Sequence, residues 1–68
     1  MPLVQVYVWK GFSDENIAKI ISGITEVFTK MGIPQRAVEV LVHEVPKAHW
    51  GVNGLPATIS LKDEGPPS

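Results

Sequence analysis

The residue with the most chemistry to offer stands second in the chain. Pro2 follows Met1 directly, and removal of the methionine would turn it into a free secondary amine, which is both a nucleophile and a base. An N-terminal amine ionises at about pH 8 in an unperturbed chain, and burial lowers that value toward the working range of a general base. A proline still acylated by Met1 has no basic nitrogen, so the chemistry requires that processing. The competing explanation of Pro2 is ordinary N-terminal processing with no catalytic purpose.

Other reactive groups are sparse. His43, Glu44 and His49 form the only cluster that looks like metal ligands, but His43 and Glu44 are neighbours on an extended segment and point to opposite faces, so no metal site is expected. His43 then reads as a sheet-face residue and His49 as a loop residue. There is no phosphate-cradling glycine loop, no dinucleotide fingerprint, and no serine, cysteine or histidine arranged for nucleophilic attack. Lys10, Arg36 and Lys47 are cations with solvated surface charge as their default role.

A strand must hold Pro2 in place. Leu3 to Trp9 alternates, with Val4, Val6 and Val8 on one face and Leu3, Gln5, Tyr7 and Trp9 on the other. Lys10-Gly11-Phe12 breaks the strand, and Ser13 offers a helix N-cap, followed by Asp14 and Glu15 where the helix dipole favours negative charge. From there Ile17, Ile20, Ile21, Ile24, Val27, Phe28 and Met31 recur at spacings of three and four, which predicts a helix over about residues 14 to 31. Gly32 suits the position just past its end, and Pro34 stops it. After a short connector at 34 to 37, residues 38 to 45 alternate again and predict a second strand. Strand, helix and strand make a βαβ unit, with parallel strands and a right-handed crossover.

One helix covers one face of a two-stranded sheet. The valines are assigned to that face, which leaves Leu3, Tyr7, Trp9 and Leu41 uncovered. Two strands alone are too few for stability, and a chain of 68 residues buries only about 60 % of the surface its unfolded form exposes, so self-association through the sheet is expected. Trp9 and Tyr7 read as intersubunit packing. The stretch from Pro46 to Ala57 is dense in turn residues and contains Asn53-Gly54, the signal for a tight hairpin; with Thr58, Ile59 and Leu61 it predicts a small β-hairpin or arm. The expected organisation is one domain over residues 2 to 61 and a mobile tail over 62 to 68.

Composition narrows the partners. Six Lys and Arg against seven Asp and Glu, with no basic cluster, argue against nucleic acid and anionic membrane surfaces. The absence of cysteine and of a signal-like N-terminus makes a cytoplasmic protein the expectation.

Taken together, Pro2 leading a strand, Gly11-Phe12-Ser13-Asp14-Glu15 opening a helix, and the segment from Glu44 to Gly54 closing the second strand resemble the 4-oxalocrotonate tautomerase family of small amino-terminal-proline tautomerases. The resemblance covers about residues 2 to 57 and rests on the order and spacing of these pieces. It implies an α/β (α+β) subunit, a single βαβ unit plus a C-terminal β-hairpin, assembled from dimers into a homohexamer and working without metal or organic cofactor. It implies a keto-enol isomerase of small 2-oxo acids, with Pro2 as general base and Trp50 as the aromatic residue that keeps the site apolar. The family also uses two arginines to hold substrate carboxylates, and this chain carries Phe12 and Glu39 at those positions. Phe offers a carboxylate no clamp and Glu repels one, so a dicarboxylate substrate is not supported. Arg36 is the nearest alternative cation. Two rival expectations follow: a Pro2-dependent hydratase, dehalogenase or decarboxylase with Glu39 as a second acid or base, and a non-catalytic subunit of a mixed hexamer.

Overall fold

The computed structural model describes residues 1–64. Strand β1 (Leu3–Trp9) and strand β2 (Glu39–Val45) pair in parallel over their full length, from Leu3 opposite Glu39 to Trp9 opposite Val45. Two further backbone bonds extend the ladder. At one end the Glu39 amide donates to the Pro2 carbonyl (3.0 Å), and at the other the Lys10 amide donates to the Val45 carbonyl (2.9 Å). Alternation places Val4, Val6, Val8, Val40 and Val42 half-buried on the face that helix α1 (Asp14–Thr29) covers.

Both ends of α1 form as the residue types dictate. The Ser13 hydroxyl accepts the Asn16 amide (3.1 Å), and Asp14 and Glu15 occupy the first turn. At the other end the Gly32 amide donates to Thr29 and the Ile33 amide to Phe28 (3.0 and 3.2 Å), the paired bonds of a glycine-terminated helix, with Gly32 at φ 92°. This closing turn takes up the two residues by which the helix falls short of position 31. The apolar stripe is narrower than its spacing suggests. Ile17, Ile20, Ile24 and Phe28 are half-buried, whereas Ile21, Val27 and Met31 are exposed in the single chain, because a sheet of two strands is too narrow to cover the whole stripe.

A 3-10 turn (Gln35–Ala37) leads into β2, and a second one (Lys47–His49) leads out of it. Strands β3 (Gly51–Val52) and β4 (Leu55–Pro56) then form an antiparallel hairpin. Its turn residues, Asn53 at φ 57° and Gly54 at φ 79°, both take the left-handed conformation that a two-residue hairpin turn demands. The hairpin ends sooner than expected. Thr58 and Ile59 do not extend it but lie in a short helix α2 (Ala57–Ser60), and Leu61 caps that helix with its amide on the Ala57 carbonyl. Pro56 accounts for the change, since it has no N–H with which to continue a ladder and its φ of −63° suits the residue before a helix. Of the tail expected over 62 to 68, residues 65 to 68 lie outside the described residues, and the Glu64 amide closes a turn on the Leu61 carbonyl.

The isolated chain makes little core. Among the described residues no large side chain is fully buried; Ala57 is enclosed completely and Thr25 nearly so. The radius of gyration is 14.6 Å, against about 11 Å for a compact chain of this length. On the sheet face away from α1, Leu3, Tyr7 and Leu41 remain 54, 57 and 48 % exposed.

Candidate functional site

Pro2 sits one residue beyond the start of β1, half-buried, while Met1 is exposed. The bond from the Glu39 amide to the Pro2 carbonyl ties it to the first residue of β2, so the backbone that carries the future amine is anchored by the parallel ladder. Because the bond uses the main chain, it does not depend on what side chain stands at position 2.

Glu39 and Arg36 share this end of the sheet. Glu39 lies opposite Leu3 in the register and is exposed, and Arg36 is exposed in the 3-10 turn just before β2. No ion pair joins them, and the ion pairs among the described residues are two exposed ones along α1, Glu15 with Lys19 and Glu26 with Lys30. The Pro2 end therefore presents one carboxylate and one guanidinium, each without a charged partner among the described residues.

Phe12 and Trp50 stand elsewhere. Phe12 follows the C-terminal end of β1 and Trp50 follows that of β2, and the two ends lie together because the strands are parallel and in register. Seven residue steps separate Pro2 from Trp9 along β1, roughly 23 Å at the rise of an extended strand. A single copy therefore does not gather Pro2, Phe12 and Trp50 around one substrate.

The aromatic end is more organised than its sequence suggested. Trp9, read as intersubunit packing, meets Trp50 edge-to-face within the same chain, with ring centroids 6.1 Å apart and planes at 85°. Trp50 is itself tied down by two backbone bonds, its amide donating to the Lys47 carbonyl (3.2 Å) and its carbonyl accepting from Ala57 (2.7 Å). The signal for this was available, since residues that leave β2 opposite Trp9 must fold over the end of β1. Lys47, considered as a stray surface cation, is half-buried, and its ammonium lies 4.7 Å from the Trp9 ring centroid.

The remaining candidates resolve differently. Tyr7 stacks on its register partner His43 at the middle of the sheet (4.5 Å, 13°), and His43 Nε2 pairs with Gln5 Oε1 at 3.1 Å. Both are remote from Pro2. Among the described residues no three His, Cys, Asp or Glu gather where one ion would reach them all. A surface hollow between α1 and the turn before β2, lined by Ser22, Thr25, Glu26, Thr29, Ile33 and Gln35, contains none of the sequence candidates.

A parallel βαβ unit with a proline at the mouth of its first strand and a tryptophan leading into a hairpin after its second is the architecture of a small tautomerase-type subunit. The chain belongs to the Tautomerase enzyme family, whose model matches residues 2–58. It is 42 % identical over 57 residues to a probable tautomerase of Ralstonia nicotianae, covering 82 % of this chain and 81 % of that protein. It is 36 % identical over 58 residues to the 2-hydroxymuconate tautomerase of Comamonas testosteroni, covering 84 and 92 %. Among solved structures, it superposes on a heterohexameric 4-oxalocrotonate tautomerase from Chloroflexus aurantiacus with a TM-score of 0.78, at 25 % identity and with 87 and 97 % coverage. Family membership supports an isomerase of the tautomerase type. No described helix is long and apolar enough to cross a membrane.

Proposed function

We propose that this chain is a keto-enol tautomerase of a small 2-oxo acid, with Pro2 as its general base after removal of Met1. The observation that carries the reading is the backbone bond from Glu39 to the Pro2 carbonyl, which holds a half-buried proline at the mouth of the sheet. The neutral amine takes a proton from the carbon beside the carbonyl, the electron pair spreads through the conjugated system onto the carbonyl oxygen, and the resulting ammonium returns the proton to that oxygen to give the enol; ketonisation is the same transfer in reverse. Removal of that proton is general-base work worth about 10²- to 10⁴-fold in rate. Trp50 supplies the apolar wall and Phe12 an uncharged neighbour, while Glu39 and Arg36 border the substrate from the Pro2 side.

These groups converge only if a second copy brings its aromatic end to Pro2. The rough 23 Å between the two ends, the unfilled core and the uncovered sheet face all support assembly, and a homohexamer built from dimers is the form we propose. The test is the intact mass of the purified protein, followed by ketonisation of phenylenolpyruvate by the wild type and by Pro2→Ala. A mass without methionine and an activity that collapses in the variant are expected. A processed chain inert toward mono- and dicarboxylate enols sinks the proposal and points to a non-catalytic place in a mixed hexamer, an arrangement for which the Chloroflexus aurantiacus heterohexamer is a family precedent.

One observation favours a second reading. Glu39 is a carboxylate without an ion-pair partner among the described residues, joined through its backbone to Pro2, and there it takes a proton from a water whose hydroxide adds to one carbon of an unsaturated acid while the Pro2 ammonium gives its proton to the next. Full activity of Glu39→Gln on every accepted substrate removes that reading.

A further inference from the structure

The 3-10 turn after β2 carries a lysine whose charge is already spent. The Lys47 ammonium donates to two backbone carbonyls, those of Leu61 and Glu64, and lies over the face of Trp9 at 4.7 Å from the ring centroid. An ammonium has three protons, and these three directions account for them. The two carbonyls belong to the turn that follows α2, in which the Leu61 carbonyl also accepts the Glu64 amide. The remaining bonds close a ring through the chain. The Leu61 amide donates to Ala57, the Ala57 amide to Trp50, and the Trp50 amide back to Lys47.

We propose that Lys47 is a positioning residue, a latch that holds the segment after α2 against Trp9 and thereby sets the orientation of the Trp9–Trp50 pair. The inference rests on the proposed role of Trp50 as a wall of the substrate site. Its physical basis is that the backbone ladders at the aromatic end do not fix the two indole rings, which are held by side-chain contacts. The backbone of Trp50 is tied at two points, but its ring is held edge-on to Trp9, and Trp9 is held from above by the ammonium. Ala57, fully enclosed, marks where the segment packs down. Without the cation, the Glu64 carbonyl and the face of an indole lose this partner together, the Leu61 carbonyl keeps only the Glu64 amide, and the segment has no other side chain to hold it to Trp9 among the bonds of the described residues.

The experiment compares Lys47→Met and Lys47→Arg in the full chain, with two readouts. The first is tryptophan emission in a Trp50→Phe background, where Trp9 is the one indole left. The second is the split between KM and kcat for phenylenolpyruvate in the otherwise unaltered sequence. Lys47→Met is expected to shift Trp9 emission to the red and to raise KM about five-fold while kcat stays within about two-fold, because the wall moves and the base does not. Lys47→Arg, which keeps the charge and the donors, restores most of both. Lys47→Gln makes the same comparison if the methionine variant does not fold. Unchanged emission overturns the latch. An emission shift with KM unmoved, or a fall in kcat alone, overturns the positioning role. Inactivity of the wild type toward every enol defeats the proposed function instead, and the emission comparison then still decides whether the latch exists.

Discussion

The two ends of β1 solve the same problem, holding one residue still, by different means. At the start, Pro2 is held by a main-chain bond at the edge of a parallel ladder, and Glu39 and Arg36 at the same end are exposed and without charged partners among the described residues. At the far end, Trp50 is held by a mixture of backbone bonds, an edge-to-face contact with Trp9 and, through Trp9, the Lys47 ammonium. A backbone anchor tolerates substitution of its side chains, whereas a side-chain anchor does not. The proposed base can therefore be changed without loss of the fold, while the proposed aromatic wall is sensitive at several positions.

The largest expected effect breaks the Pro2 end chemically and leaves it intact structurally. Pro2→Ala removes the secondary amine but keeps the carbonyl that accepts from Glu39, so ketonisation falls by about 10²- to 10⁴-fold while circular dichroism and oligomer size stay as they are. The next prediction joins the two ends across copies. Pro2→Ala and Trp50→Ala subunits, each nearly inactive alone, regain activity when unfolded and refolded together, because a site that draws Pro2 from one copy and Trp50 from another is complete in about a quarter of random pairings. Failure to recover any activity in the mixture means that the two ends do not meet across an interface.

A smaller effect concerns charge. Glu39→Arg exchanges a repelling group for a two-pronged clamp beside Pro2, and kcat/KM for a carboxylate-bearing enol rises by about ten-fold, close to 1.4 kcal/mol of transition-state binding. No change would show that the Glu39 side chain does not border the substrate. The smallest effect should stay local. Ser13→Ala removes the hydroxyl that caps α1 and lowers stability by about 1 kcal/mol in urea unfolding, with KM and kcat unaltered. A change in kcat there would mean that the start of the helix is coupled to Pro2.

Much of this architecture was legible from residue types alone. The alternation from Leu3 to Trp9, the Ser13 cap, the Gly32 stop and the Asn53-Gly54 turn each depend on local sterics or on one hydrogen bond, and each appears where the sequence puts it. The width of the buried helix stripe was not legible, because how many apolar positions are covered depends on the number of strands beneath them. Nor was the extent of the hairpin read correctly, since Pro56 ends the ladder and the enclosed Ala57 starts a helix. The site was legible only as a set of residues. Pro2, Phe12, Glu39, Arg36 and Trp50 stood out, but their division between opposite ends of one strand did not.

By itself, then, the sequence determined the βαβ elements, their parallel pairing and the candidate amine at Pro2, because these follow from period, caps and covalent position. Only the tertiary structure decided that Trp9 belongs with Trp50, that the Lys47 charge is engaged by Leu61, Glu64 and an indole face, and that Glu39 is bonded to Pro2 through the backbone. Those contacts join residues far apart in the chain: parallel pairing in one register brings Pro2 to Glu39 and Trp9 to Trp50, and the hairpin and α2 return Leu61 and Glu64 to Lys47.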